Sequence, residues 1–216
     1  MQLKGIELLI TTYCNFSCDQ CSQAIPVYKD PRHMSWEQVL AFAAVSRDIS
    51  TRRFSICGGE PLLSPIFPKI ASHMRELFAA DYYELRTNGT LLHEHLGTIA
   101  PFDKVVVGYY PRRSPDRIKL LPSLDRRIRL YLNTRFWNMQ RPHSSRLYGE
   151  PWKRCGFYGW INVVQDRIYP CCNMHGISVY RSMLIGDASV PVQEDWVSAL
   201  GAMDMAPLCR ECPWPN

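Results

Sequence analysis

Cys14, Cys18 and Cys21 set three thiols at intervals of four and three residues within the stretch Cys14-Asn15-Phe16-Ser17-Cys18-Asp19-Gln20-Cys21. A loop of this kind can wrap a small metal cluster. A four-iron cubane takes four thiolates, so three leave one iron open to a ligand that is not protein, and an open iron is a site for chemistry. A structural zinc site would draw on four ligands, commonly two CxxC pairs, and this loop holds no fourth Cys or His. A disulfide framework suits small secreted domains, whereas this chain carries an odd nine cysteines and opens without a signal peptide.

Two further stretches could do chemistry at strand ends. Gly58-Gly59-Glu60-Pro61 offers backbone without a Cβ, a carboxylate and a fixed turn, so the chain can approach a ligand there. Thr87-Asn88-Gly89 is a polar turn of a common type. After residue 150 come Cys155, the pair Cys171-Cys172, and Cys209-Arg210-Glu211-Cys212. A CxxC with two thiols upstream suits a four-thiolate cluster and, on spacing alone, tetrahedral zinc equally well.

The elements that would position these residues alternate. Residues 5–12 form an apolar run with one acid, Glu7, as expected of a strand covered on both faces, and it delivers the cysteine loop at its end. Ser35 is a plausible N-cap for a helix reaching toward residue 49. Strands are expected at 53–57, 82–86, 104–110 and 128–134, with helices near 65–80 and 91–99. A further strand at 160–164 belongs either to this series or to an appendage. Strand and helix in alternation argue for parallel strands joined by right-handed crossovers, with the three motifs at the carboxyl rim.

Composition sets outer bounds. The 216 residues suffice for one sizeable core with a small appendage. With 46% hydrophobic and 21% charged residues the chain reads as globular, and no apolar run reaches the length of a membrane span. Lacking a span and a signal, it is expected in the cytoplasm, where thiols stay reduced. Seven of the Lys and Arg residues fall between 112 and 129. Such a run is commonly a solvated face, and its functional alternative is recognition of phosphate or carboxylate. No nucleic-acid reader motif accompanies it, which argues against that partner.

The CxxxCxxC spacing, with Gly58-Gly59-Glu60-Pro61 at the next strand end, resembles the radical SAM superfamily. The resemblance implies an α/β fold, an incomplete TIM-like (β/α)6 barrel over residues 1–150. It also implies a 4Fe-4S cluster on Cys14, Cys18 and Cys21 whose open iron chelates S-adenosylmethionine, and reductive cleavage to a 5′-deoxyadenosyl radical. Gly58, Gly59, Glu60 and Pro61 would hold the methionine amino group, and Thr87 and Asn88 look like the TNG turn often found at the next strand end. Two departures stand out. Gln20 occupies a position that is often aromatic, and the fourth strand ends in Val107-Gly108-Tyr109-Tyr110 where a Ser or Asp commonly meets the ribose, leaving Asn133 as a substitute.

The text around the later cysteines resembles the SPASM/twitch extension, which implies an auxiliary 4Fe-4S cluster in residues 151–216. The chain ends four residues after Cys212, so the shorter twitch form is expected, with Cys155, Cys171, Cys209 and Cys212 as ligands and Cys171 and Cys172 able to exchange roles. Four protein ligands would close that cluster to substrate and favour electron transfer. The first functional expectation is therefore oxidation of a small hydroxylated or amino substrate such as a polyol or amino sugar, as in the aminocyclitol dehydrogenases of this type. An external flavodoxin or ferredoxin would supply electrons. Tyr109, Tyr110, Arg112, Arg113 and His143 are candidate bases, and Cys57 is either a small packed hydrophobe or a hydrogen-atom donor. The rivals are peptide crosslinking or thioether formation, against which the absence of a leader-binding domain before the first strand argues, and epimerisation.

Overall fold

The computed structural model describes residues 2–19, 21–111, 113–132, 155–185, 187–210 and 212. In chain order the elements are β1 (Gln2–Leu3), β2 (Gly5–Leu9), α1 (Trp36–Val45), β3 (Ser50–Cys57), α2 (Phe67–Leu77), β4 (Ala79–Thr87) and β5 (Lys104–Tyr109). There follow α3 (Leu121–Leu124), β6 (Ile128–Leu132), β7 (Trp160–Val164), β8 (Arg167–Tyr169), α4 (Met174–Ile185), β9 (Val190–Pro191), α5 (Trp196–Gly201) and α6 (Met205–Arg210).

The strands form one open sheet in the order β6-β5-β4-β3-β2-β7-β8-β9, with β1 beside β3. From β6 through β2 to β7 every pairing is parallel, and β8 and β9 add antiparallel edges. This is a mixed, mostly parallel α/β sheet that does not close, consistent with a partial TIM-like barrel. The central strand is β2, which pairs with β3 on one side (Leu9 opposite Cys57) and with β7 on the other (Leu9 opposite Val164). The stretch 160–164 therefore continues the sheet that residues 5–132 build. The expected division at residue 150 lies outside the described residues.

Period-two alternation sorts the side chains. Ile6, Leu8 and Ile10, Phe54 and Ile56, Leu85, Val105, Val107, Ile161 and Val163 face the helices and share one core with α1, α2 and Trp196 of α5. The intervening residues face the other way: Glu7 and Leu9, Arg53, Ser55 and Cys57, Glu84 and Arg86, Lys104, Asn162 and Val164. That second face, the inner one, is unusually polar.

Several expected elements differ in extent. The first strand ends at Leu9, because Ile10 to Thr12 turn to pair with the chain before α1: Met34 N–H donates to Ile10 O (2.9 Å) and Thr12 N–H to Arg32 O (2.9 Å). No helix fills 91–99. A single 3-10 turn, Leu92–Glu94, stands there, and fully buried Leu92, Ile99 and Phe102 pin the segment to the core without helical periodicity. Ser35 does cap α1, in a reciprocal box with Gln38 (3.2 and 2.9 Å). Among the described residues no helix is long and apolar enough to cross a membrane.

Trp196 fastens the C-terminal elements to this core. It is 1% exposed, its ring centroid lies 6.4 Å from that of Phe42, and its Nε1–H donates to Val45 O at 3.2 Å. Trp196→Ala should lower the unfolding free energy by about 3–5 kcal/mol, the usual cost of emptying a large aromatic site. Urea denaturation checks this, and a loss below about 1 kcal/mol would mean that α5 does not share the core.

Candidate cofactor and substrate site

Three motifs meet at the carboxyl ends of β2, β3 and β4, and hydrogen bonds join them directly. Gly58 has φ +154°, and a Cβ there would stand 2.4 Å from Thr11 O; a Cβ on Gly59 would stand 2.1 Å from Tyr13 O. The pair lets the turn after β3 lie against the backbone that leads into the cysteine loop, with Gly59 N–H donating to Thr11 O and Glu60 N–H to Tyr13 O, both at 2.8 Å. On this side their missing side chains make room for the protein's own chain.

Glu60 is completely buried. Its Oε1 accepts from Leu62 N–H (3.2 Å) and Thr87 Oγ1–H (2.7 Å), and its Oε2 from Asn88 N–H (2.7 Å). Burial pushes its carboxyl up to about 7 against the pull of those three donors. Asn88 reaches on to the cysteine loop, donating from Nδ2 to Asn15 Oδ1 (2.7 Å), while Asn15 donates to Thr90 Oγ1 (2.8 Å). Asn15 was not singled out in the sequence, although its place between two cysteines was a signal. Pro61 begins the 3-10 turn Pro61–Leu63 and is buried.

Cys14, Cys18 and Cys21 lie within electrostatic reach of one another and of Tyr110. Backbone N–H groups of Gln23, Ala24 and Ile25 turn toward the Cys21 sulfur, and Phe16 N–H toward Cys14 Sγ at 3.4 Å. Donors aimed at sulfur suit thiolates. Burial raises all three thiols above the ordinary range, Cys14 to about 11, so a bound cation is what would make them ligands near neutral pH. Among the described residues no three His, Cys, Asp or Glu side chains stand close enough for a single metal ion.

The loop is clamped from the chain that follows β5. Phe16 packs edge-on against Tyr110 (5.8 Å), and Arg113 donates to Ser17 O and pairs with Asp19 (3.6 Å). Arg117 reaches Thr90 O (3.4 Å), and Lys119 pairs with Asp116 and lies over the Tyr109 ring. Arg127 is held by Asp125 and the carbonyls of Ile99, Ala100 and Phe102. Much of the basic run thus fastens the chain to itself. Of the base candidates, Tyr110 lies within electrostatic reach of all three thiols and Arg113 of Cys18, whereas Arg112 and His143, and also Asn133, lie outside the described residues.

The later cysteines divide. Cys171 lies within electrostatic reach of Cys209 and Cys212, and Cys209 of Cys155 and Cys212. Cys171 and Cys212 pack beside Met174, Ile177, Ala188 and Leu208. Cys172 turns away, buried toward Glu7, Arg86 and Arg53 on the inner face. Cys57 packs there too, with Leu9, Val164 and Tyr169.

Charges the sequence did not reveal line the inner face. Arg86 bridges Glu7 (3.1 Å) and Glu84 (2.8 Å), and Lys104 lies 3.2 Å from Glu84. Burial raises Glu7; it would raise Glu84 too, but Arg86, Arg53 and Lys104 outweigh it and hold that carboxyl below its usual range. The lone acid of an apolar strand was the signal for this wall.

Residues 8–111 match the family described as the Radical SAM superfamily, so the chain carries a radical SAM domain. Such a domain implies S-adenosylmethionine and a 4Fe-4S cluster. The chain is 30% identical over 94 residues to the probable GTP 3′,8-cyclase of Methanococcus maripaludis and 28% identical over 100 residues to the GTP 3′,8-cyclase of Staphylococcus saprophyticus. These matches take in 44% and 43% of this chain but only 31% and 29% of those proteins, so the chain spans about three-tenths of the curated relatives it matches. In fold it is similar to BtrN, solved in complex with AdoMet and 2-DOIA, with a TM-score of 0.70 at 17% identity over 97% of this chain and 87% of BtrN. It is also similar to Streptococcus suis SuiB bound to precursor peptide SuiA, with a TM-score of 0.51 at 11% identity over 96% of this chain and 66% of SuiB. At these identities the likeness is one of fold.

Glu60→Gln keeps an oxygen for Leu62 and Thr87 but turns an NH2 toward Asn88 N–H, at an expected cost of about 1–3 kcal/mol for one buried donor left without an acceptor. Between about pH 4.5 and about 7 the folded wild type holds a proton that the unfolded chain has lost, so its stability falls relative to the variant as pH rises. Urea unfolding of both proteins across that range checks the sign. A pH-independent difference would contradict it.

Proposed function

We propose that the chain cleaves S-adenosylmethionine reductively and oxidises a small hydroxylated substrate, with a second four-iron cluster as electron acceptor. Cys14, Cys18 and Cys21 would hold the first cluster, and Cys155, Cys171, Cys209 and Cys212 the second. Bound at the first centre, cluster and S-adenosylmethionine supply a 5′-deoxyadenosyl radical that abstracts a hydrogen atom. The chain's own part is to place and shield. The Glu60 tie sets the loop against the turns after β3 and β4, Gly58 to Pro61 and Thr87 with Asn88 border the cofactor, and the inner face with Glu7 and Arg86 is the surface a polar substrate would meet.

The observation that carries this reading is the sorting of the C-terminal thiols. Cys171, Cys209 and Cys212 lie within electrostatic reach of one another and Cys155 within reach of Cys209, while Cys172 turns away, an arrangement in keeping with a four-thiolate set. A closed centre suits an electron acceptor better than a substrate site. The fold likeness to BtrN along nearly the whole chain is in keeping with a small-molecule substrate, and its bound 2-DOIA suggests aminocyclitols as the first class to try.

Reconstituted protein should be incubated anaerobically with S-adenosylmethionine, a one-electron reductant and C-deuterated polyols and aminocyclitols. Deuterium in 5′-deoxyadenosine and an equal amount of carbonyl product are expected. Cys171→Ala should keep the deuterium transfer and lose the carbonyl product, while Cys172→Ala should behave as wild type. Deuterium transfer with no oxidised product in the wild type would instead favour a redox-neutral or crosslinking reaction.

A further inference from the structure

A second group of polar side chains lies where the two cysteine centres adjoin. Helix α4 starts two residues after Cys172 and presses on the chain that leaves Cys21: a Cβ on Gly176 would stand 1.9 Å from Ser22 O and 3.3 Å from Gln23 Cα. At this seam Gln23 donates from Nε2 to Cys172 O (3.1 Å), and Asn162 of β7 donates to the same oxygen (2.9 Å) and to Gln23 Oε1 (3.4 Å). Those contacts fix the orientation of the Gln23 amide, with its oxygen toward His175 Nδ1 at 3.1 Å.

The tautomer of His175 follows from that orientation. An amide oxygen only accepts, so Nδ1 carries the hydrogen, and in a neutral imidazole Nε2 is then a bare acceptor. The group bonded to Nε2 is the Tyr28 hydroxyl, which therefore donates. Burial lowers His175 to about 4, so the ring is neutral across the physiological range. The titratable groups that face it are Tyr28, from the end of the 3-10 turn Ile25–Val27, and Tyr169 of β8, whose ring stands edge-on at 5.2 Å. Burial raises both phenols above their usual range, so both are neutral as well.

This arrangement has a direction. His175 is sealed from solvent, while Tyr28 is half-buried, so Tyr28 is the member that a bound molecule can touch. A phenol whose hydrogen already points at a bare imidazole nitrogen can take a proton on its oxygen while passing its own inward. We infer that Tyr28 and His175 form the proton-accepting couple for the substrate, with Tyr28 as the contacting group and His175 as the transient acceptor behind it. The inference rests on the proposed oxidation of a hydroxyl group. After hydrogen-atom abstraction at the carbinol carbon, the substrate O–H bond breaks toward Tyr28 Oη as the Tyr28 O–H bond breaks toward His175 Nε2. The proton would pass to His175, which holds it weakly and returns it through half-buried Tyr28 as product leaves, the electron would go to the second cluster that Cys155, Cys171, Cys209 and Cys212 would hold, and a C=O double bond would form. Gln23 and Asn162 act as positioning residues that hold the tautomer.

The test uses reconstituted wild type, Tyr28→Phe and His175→Asn with C-deuterated polyols and aminocyclitols. Both variants should still move deuterium into 5′-deoxyadenosine while carbonyl product falls about 100-fold, the usual worth of a positioned base. Wild-type product formation should be flat with pH above neutrality, and the residual rate of Tyr28→Phe should climb with pH as hydroxide takes over. Independently of turnover, ¹⁵N-histidine NMR of the oxidised holoenzyme near pH 7 should show His175 protonated at Nδ1 and bare at Nε2. Unchanged product in both variants, a parallel loss of deuterium transfer and product, or a protonated Nε2 would each overturn the couple while leaving the oxidation standing. Wild type that transfers deuterium yet makes no carbonyl product would overturn the oxidation, and the couple with it.

Discussion

The buried carboxylate of Glu60 is the contact on which the rest of the site depends. It sits at the end of β3 with no exposure to solvent, and its three donors come from its own turn and from the turn after β4. A carboxylate in such a place is costly unless its oxygens are occupied. Here their occupation joins two strand ends beyond the sheet. Asn88 extends the tie to Asn15, inside the cysteine loop, and the two close-approach glycines remove the side chains that would hold the turn off that loop. A loop of eight residues with three thiols has little internal structure of its own, so its shape is borrowed from these neighbours.

A second junction acts on the same loop from the other side. Gly176 lets α4 meet the backbone just after Cys21, and Tyr180 from the same helix donates to Cys21 O at 3.5 Å. Since α4 follows directly on Cys171 and Cys172, the two groups of thiols share one rigid wall. The sheet supports the same conclusion. With β2 bonded to β7 as fully as to β3, the chain that carries the later cysteines is built into the sheet rather than hung from it. The polar inner face between these junctions, with Glu7, Glu84 and Arg86 drawn into one network, is where the strands give up apolar burial for chemistry.

Much of the framework could be read from residue types. The cysteine spacing, the Gly-Gly-Glu-Pro turn and the Thr-Asn-Gly turn are local patterns, and strand positions followed from short apolar runs. Other features were not legible because they depend on contacts between distant segments. Cys171 and Cys172 are equivalent in sequence and opposite in space, since adjacent side chains at the end of a strand leave on different sides. The segment at 91–99 has helix-compatible composition, yet three buried anchors fix it as turns. The missing side chains at Gly58 and Gly59 make room for the protein's own backbone as well, a close approach between distant segments. His175 is a lone histidine in the sequence, and only the fold gives it Tyr28 from 147 residues away.

The proposed function requires one chain to hold two separate four-iron centres, one open to S-adenosylmethionine and one closed. Iron content and the electron paramagnetic resonance spectrum of the reduced, reconstituted protein address it most directly, for wild type and for the variant with Cys14, Cys18 and Cys21 all changed to Ala. The account requires about eight irons in wild type and about four in the variant, with S-adenosylmethionine altering only the wild-type spectrum. A wild type that holds about four irons, all lost in the variant, would contradict it and leave the C-terminal thiols without a cluster.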